Sequence, residues 1–579
     1  MTPRGTRPMM RPFGASRISM TIMGHRGGAL EMARARVVLI SAVFALVYLI
    51  MAVRLFDLTV MQGELAHVMQ TETEIAAPPT PLKKPERRAD IIDRNGVLLA
   101  TSVKSVALFV DPHIVVDAPH VVTELVKIFP TLNRAKLEKQ LAGKGRYVSL
   151  AKELTPQQQA AVTRIGDPGL AFENTYRRIY PQGNLTAHIV GYGSNDDNGL
   201  AGIERSMNAG LMKSDQPVQL AMDVRVQHIL RREVERSMAH FRGIGGAGIV
   251  MDTRNGEILA ATSLPDFDPH HPRNPNDNAM FNRVSLGIYE MGSTFKIFST
   301  AAHLEVKQPS MSETFDASQP LRRGRFVIND YKGEDRVMTI PEIFMVSSNI
   351  GTALMANATG SQNLQRIYRD LGLLDAPQTE LAEMGKPMVP HPWTEISNLT
   401  ASFGHGIAVS PLQVASAVAS VVNGGLKVQP TLLRKNEADA SATAVRVLSA
   451  RTSAHMRQLM RLVVEKGTGK NANVVGYRVG GKTGTAEKSG IGGYDRKRLI
   501  SSFVGAFPID DPRYVVFVMV DEPKPAADSY GYATAGWVAA PAVGRVISNM
   551  GAVLGLMPDA AAPEIAAPLH QYVNLKKAH

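Results

Sequence analysis

YEMGSTFKIFSTAAHLE, Tyr289–Glu305, is the stretch on which the reading of this chain turns. Met291-Gly292 is a loop signal and the run after it is helix-forming, so Ser293 and Lys296 fall one turn apart on one helix face. That spacing places an amine within reach of a hydroxyl. A serine alcohol needs a base to attack a carbonyl at neutral pH, and a lysine can serve when burial or a second cation lowers its pKa. Alone, S-x-x-K is unspecific: Ser149–Lys152 fits it too, and the plainer reading of an isolated match is a pair on a helix surface.

Two further elements change that. Ser347-Ser348-Asn349 lies in PEIFMVSSNIGTALMA, whose apolar periodicity predicts a buried helix interrupted by small polar residues. S-x-N recurs at Ser206 and Ser361, so it too is weak alone. Lys482-Thr483-Gly484-Thr485, in YRVGGKTGTAEKS, contains the only K-T-G of the chain, in a strand-like setting whose glycines allow a substrate backbone to come close. S-x-x-K, S-x-N 54 residues later and K-T-G after a further 135 form an ordered set. Such a set is the signature of class A β-lactamases and penicillin-binding proteins. On these motifs the chain resembles a class B penicillin-binding protein.

The resemblance extends along the chain. RRADIIDRNG (Arg87–Gly96) resembles the box that opens the family's pedestal, with Ala89 where the family carries glycine. RRIYPQGNLTAHIVGY (Arg177–Tyr192) and GLAGIE (Gly199–Glu204) resemble later pedestal boxes, and LAMDVRVQHILRREVE (Leu220–Glu235) the start of the transpeptidase domain. YEMGSTFK, SSN and DEPK (Asp521–Lys524) are most similar to the division-type, FtsI-like members. The resemblance implies an α/β (α+β) fold of the serine penicillin-recognising transpeptidase type: an antiparallel sheet covered by helices, a mixed pedestal and one transmembrane helix. It implies a pedestal over residues 89–215, a transpeptidase domain over 216–555 and a tail over 556–579.

It also implies roles. Ser293 would attack the carbonyl between two D-alanines of a peptidoglycan stem peptide, and Lys296 would take its proton. Ser347 would relay a proton to the leaving amine, and Asn349 would orient Lys296 and the substrate amide. Lys482 would help keep Lys296 neutral by its positive charge and, with Thr483, Gly484 and Thr485, hold the substrate carboxylate. Backbone N–H groups of Ser293 and Thr485 would form an oxyanion hole, worth about 3 kcal/mol. β-Lactams would mimic the donor and stall at the acyl stage. No cofactor or metal is implied, and the expected partners are stem peptides, β-lactams, an FtsW-like glycosyltransferase and other division proteins.

Outward from the motifs, the 579 residues carry 44% hydrophobic and 20% charged residues and no cysteine. This excludes a disordered chain, thiol nucleophiles and Cys-type metal sites. Residues 1–36 hold seven arginines against Glu31, a net +6, read as a cytoplasmic tail. VVLISAVFALVYLIMAV (Val37–Val53) has 17 residues without a charge, roughly 26 Å as a helix. A core helix or a cleaved signal peptide fits this less well than a retained anchor over 37–57, with the body outside by the positive-inside rule. The expected location is the bacterial inner membrane, single-pass, with the catalytic part periplasmic and at the division septum. Residues 58–88, with AAPPTPLKKPERR, read as an extended juxtamembrane spacer.

Asn-Gly or Asp-Pro turns predict hairpins at Ala89–Ser102, Gly246–Ser263 and Ser501–Val520, with a helix over Gly536–Met550 and a poorly ordered end after Pro558. His270-His271 reads as a solvated loop pair rather than a metal site, and His405, in SFGHGIAVSP, as structural. Of the net +12, the tail gives +6 and KKPERR (Lys83–Arg88) +3, which argues against nucleic-acid binding by the body. An elongation-type transpeptidase, a D-alanyl carboxypeptidase or β-lactamase, and a division scaffold with a vestigial pocket remain as alternatives.

Overall fold

The computed structural model describes residues 38–39, 42–53, 87–194, 197–490 and 493–574. It divides at Lys84/Pro85 into two units. In the first, residues 42–53 are helical. The remainder of the expected tail, anchor and spacer lies outside the described residues. Among the described residues no helix is long and apolar enough to cross a membrane.

The second unit contains two five-stranded sheets. The first, in the expected pedestal, is mixed: Ile91–Ile92 runs antiparallel to Leu98–Val110 but parallel to Val218–Gln219. The turn between the first two strands is set by Asp93, whose Oδ1 accepts from Asn95 N at 2.7 Å and Val97 N at 2.9 Å, with Gly96 at φ +86°. The three boxes seen in the sequence meet in a buried ion knot. Arg88 donates to Glu204 at 2.5 Å and to Asn208 at 2.7 Å, and Arg178 reaches the second Glu204 oxygen at 2.7 Å. Such a knot holds only while all partners are present, because loss of one leaves a buried charge unpaired. Ala89 packs beside it outside the left-handed region, so the backbone there accepts a Cβ.

The second sheet is antiparallel throughout. Its order places Gly480–Gly490 at one edge, then Gly493–Phe507, Tyr514–Asp521, Gly245–Asp252 and Ile258–Leu264. Alternate residues enter opposite cores, as period-2 geometry requires. Val515, Phe517 and Met519 join the core containing helices Lys296–Lys307 and Pro411–Val422. Val516 and Val518 pack with helices Val224–His240 and Ala540–Val553. Covered on both faces, these strands read as continuous apolar runs rather than alternating ones.

The end of the chain departs from expectation. Ala567–Tyr572 forms a 3-10 helix with Leu569 buried. Glu564 pairs with Arg461 at 2.8 Å, His570 with Glu465 at 2.9 Å, and Thr339 donates to Tyr572 O at 2.7 Å. An Ala/Pro-rich composition hid an apolar anchor and four such polar clasps, the last from Asn574 N to Glu342. Thr339 and Glu342 cap the helix that ends at the S-x-N motif.

Candidate active site

The nucleophile's segment is pinned before the helix begins. Tyr289 and Val409 exchange backbone hydrogen bonds of 2.9 and 3.0 Å. Gly292 then adopts φ +52° and opens a 3-10 turn, Gly292–Phe295, that runs into helix Lys296–Lys307. A Cβ on Gly292 would lie 2.7 Å from Thr485 O, and one on Gly484 would lie 2.6 Å from Met291 O. The serine turn and the K-T-G strand therefore touch backbone to backbone. Because that strand is a sheet edge, its outer N–H and C=O groups are open to an added peptide strand.

The S-x-N motif sits at a break between two helices. Ile340–Val346 starts on a Thr339/Glu342 capping box and stops because Ser347 is left-handed, φ 64° and ψ 46°. For a non-glycine residue that conformation costs about 1 kcal/mol. Ser348 then caps helix Asn349–Thr359, its Oγ accepting from Gly351 N at 2.9 Å. This reversal turns Ser347 and Asn349 towards the lysines. Lys296 Nζ donates to Ser347 O at 2.5 Å, Asn349 Oδ1 at 2.7 Å and Ser347 Oγ at 3.1 Å. Lys482 Nζ donates to the same Ser347 Oγ at 2.8 Å and to Thr483 O at 3.3 Å. With both lone pairs occupied, the Ser347 hydroxyl hydrogen is left to donate outward.

Both lysines have no solvent exposure. Burial lowers the Lys296 ammonium to about 7, while the Asp330 carboxylate pulls the other way. Lys482 is held well below an ordinary lysine, first by burial and then by the charge of Lys296. Of the two causes expected, burial or a neighbouring cation, burial is the one that lowers Lys296, and the repulsion falls on Lys482 as its second cause. A site with one amine neutral near pH 7 holds a usable base.

The structure brings Lys296, Ser347, Asn349 and Lys482 into one hydrogen-bonded set, with Ser293 one turn before Lys296. Thr483 Oγ1 bonds Thr468 at 2.8 Å, and Thr485 Oγ1 accepts from Ala535 N at 3.1 Å, so both threonines are fixed from outside the strand. Ser149 lies in a strand of the first sheet, apart from any of these. His270 Nε2 accepts from Tyr180 N at 3.0 Å, a structural contact.

One residue of this set was invisible to motif reading. Asp330 accepts from Asn349 N at 2.5 Å, Ile350 N at 3.0 Å and Ser348 Oγ at 2.7 Å, so it locks the S-x-N turn and sets its charge beside Lys296. Nothing in VINDYKGED marks it, because its partners, two backbone N–H groups and the Ser348 hydroxyl, belong to a helix start 18 to 20 residues away. Asp330→Asn keeps an acceptor for the two N–H groups but removes the charge that favours protonated Lys296. The acid limb of an acylation-rate profile from about pH 5 to 9 is expected to move to lower pH; a limb that stays in place contradicts this role.

Family models match most of the chain. The penicillin-binding protein dimerisation domain matches residues 83–233 and the penicillin-binding protein transpeptidase domain residues 246–544. The chain is 40% identical over 500 residues to the probable peptidoglycan D,D-transpeptidase FtsI of Caulobacter vibrioides, covering 83% of this chain and 85% of that protein. It is 28% identical over 512 residues to peptidoglycan D,D-transpeptidase FtsI of Escherichia coli K12, covering 82% and 84%. The crystal structure of penicillin-binding protein 3 from Mycobacterium tuberculosis complexed with aztreonam shares the fold. It superposes with a TM-score of 0.64 at 23% identity, over 83% of this chain and 98% of that one. With the three motifs converging on one hydrogen-bonded set and both family domains present in order, the chain belongs to the class B penicillin-binding proteins, of the FtsI-like kind.

Proposed function

We propose that the chain is a peptidoglycan D,D-transpeptidase of the division type, anchored in the inner membrane by residues 37–57 and acting at the septum. The observation that carries the chemistry is the sharing of Ser347 Oγ by two wholly buried lysines next to Ser293. Lys296, neutral, takes the Ser293 proton as Oγ attacks the carbonyl before the terminal D-alanine. The oxyanion develops against the N–H groups of Ser293 and Thr485. The proton passes through Ser347, whose hydrogen is free to point out, to the leaving amine. Lys482 with Thr483 and Thr485 holds the donor carboxylate, and Gly484 lets the donor backbone lie on the strand. D-Alanine leaves, an ester remains on Ser293, and a neighbouring stem peptide's amine resolves it as a cross-link. A β-lactam enters as the donor does and remains as the ester.

The family likeness points to an FtsW-like glycosyltransferase engaged through the anchor and pedestal. The test is to supply a donor stem peptide with and without an acceptor and to quantify cross-linked and hydrolysed products. Cross-linked product that dominates with acceptor present is expected; hydrolysis alone supports the carboxypeptidase reading. Absence of fluorescent-penicillin labelling supports the vestigial scaffold. Lateral rather than midcell placement of a tagged copy supports an elongation role.

A further inference from the structure

Beside the nucleophile lies a second cluster that the steps above do not use. The antiparallel bridge between Tyr289 and Val409 lays residues 403–409 along the serine segment. Gly404, at φ +82°, is so close that a Cβ there would lie 2.3 Å from Gly292 O. Glu290, three residues before Ser293, accepts at Oε1 from Gly406 N at 3.0 Å and from Tyr494 Oη at 3.1 Å. Its Oε2 is buried and has no partner. A buried, unsatisfied carboxylate oxygen is costly and calls for a donor. The His405 ring stacks on this same Tyr494 with centroids 5.1 Å apart and interplanar angle 27°, and meets Phe403 edge-on at 5.3 Å. Tyr494 is 45% exposed, so the stack opens to solvent on one side.

A carboxylate oxygen without a partner, on a group bonded to the edge of an aromatic stack, has the composition of a receptor for a primary ammonium group. The proposed reaction needs one: its second substrate is an amine that is protonated in solution at neutral pH. We propose that Glu290, His405 and Tyr494 form the binding site for the acceptor's ammonium group. This rests on the transpeptidase reading and adds where the second substrate docks.

The step balances as follows. The acceptor arrives as R–NH3+ and hydrogen-bonds Glu290 Oε2 with one N–H. One proton leaves to solvent water, freeing the lone pair. The nitrogen then attacks the acyl carbon, the C–N bond forms and the C–Oγ bond to Ser293 breaks. A second proton leaves nitrogen and one returns to Ser293 Oγ, so the net products are the amide, the free serine and one proton released to solvent. Burial and the charge of Lys296 hold the His405 ring at about 4, so it is neutral at working pH and adds no cation to compete for Glu290. The charged groups facing the cluster are Lys296 across the serine turn and Glu487 on the K-T-G strand.

The test uses the full-length protein in detergent with a thioester donor peptide and an acceptor peptide carrying one primary amine, its N-acetylated form serving as control. The readout is amide product per acyl-enzyme formed. Glu290→Gln is expected to lower it about tenfold, with recovery at higher acceptor concentration. His405→Ala, which removes the ring stacked on Tyr494, is expected to lower it about threefold with recovery at higher acceptor concentration, as loss of a binding contact does. If Glu290→Gln does not acylate, Tyr494→Phe, which removes one hydrogen bond to Glu290 at the protein surface, decides: about a threefold loss is expected. A ratio unchanged in these variants overturns the site. A wild-type protein that forms no adduct at Ser293 overturns the transpeptidase reading beneath it, which is a different result from intact acylation with unchanged partition.

Discussion

Lys296→Met slows acylation of Ser293 by about a thousandfold, the range for loss of a positioned general base. Methionine fills the volume of the lysine stem, so the loss reports the amine and not a cavity. The same change removes the donor from Ser347 O and Asn349 Oδ1, each of which then costs about 1–3 kcal/mol if water cannot reach it. A lowered melting temperature with retained secondary structure should therefore accompany the kinetic loss. The pH profile separates this from simple misfolding. In the wild type only unprotonated Lys296 serves, so the rate should rise tenfold per pH unit below about 7 and level above it. The residual rate of the Met variant should lack that limb. A variant within tenfold of wild type, or one that keeps the limb, would assign the base elsewhere.

Gly484→Ala is expected to slow acylation about a hundredfold with the fold intact. The added Cβ would sit 2.6 Å from Met291 O, 2.6 Å from Thr294 Cγ2 and 2.7 Å from Ser502 Oγ. Two of these neighbours belong to the serine turn, so the strand and the turn must part. Both also carry the groups assigned to the oxyanion hole, and a shift of about 1 Å there is worth that factor. Penicillin acylation rates and far-ultraviolet circular dichroism check this. Equal rates with the wild type would mean the two backbones do not act together.

Much of this site was legible before any coordinates. The serine, both lysines and the S-x-N pair are named by local spacing, and the strand and helix around them by apolar runs bounded by turns. What spacing cannot convey is convergence from distant segments. Asp330 acts through a helix start, Glu290 through Gly406 and Tyr494, and none has a neighbour in sequence that marks it. His405 was readable only as a structural histidine, because its partner Tyr494 lies on a hairpin arm 89 residues away. The clasp at Glu564–Asn574 was missed for a related reason. Its composition resembles a tail, and its order comes from Glu342, Arg461 and Glu465 on other helices. The dominance of burial over repulsion in lowering Lys296 is likewise a tertiary fact, since it depends on how completely the cleft walls close over the amine.

The most direct measurement is mass spectrometry of the intact protein after penicillin treatment, followed by peptide mapping of the adduct. One penicilloyl group on Ser293, absent from Ser293→Ala, is predicted. No adduct, or an adduct on another serine such as Ser149, would contradict the assignment of this cleft as the active site.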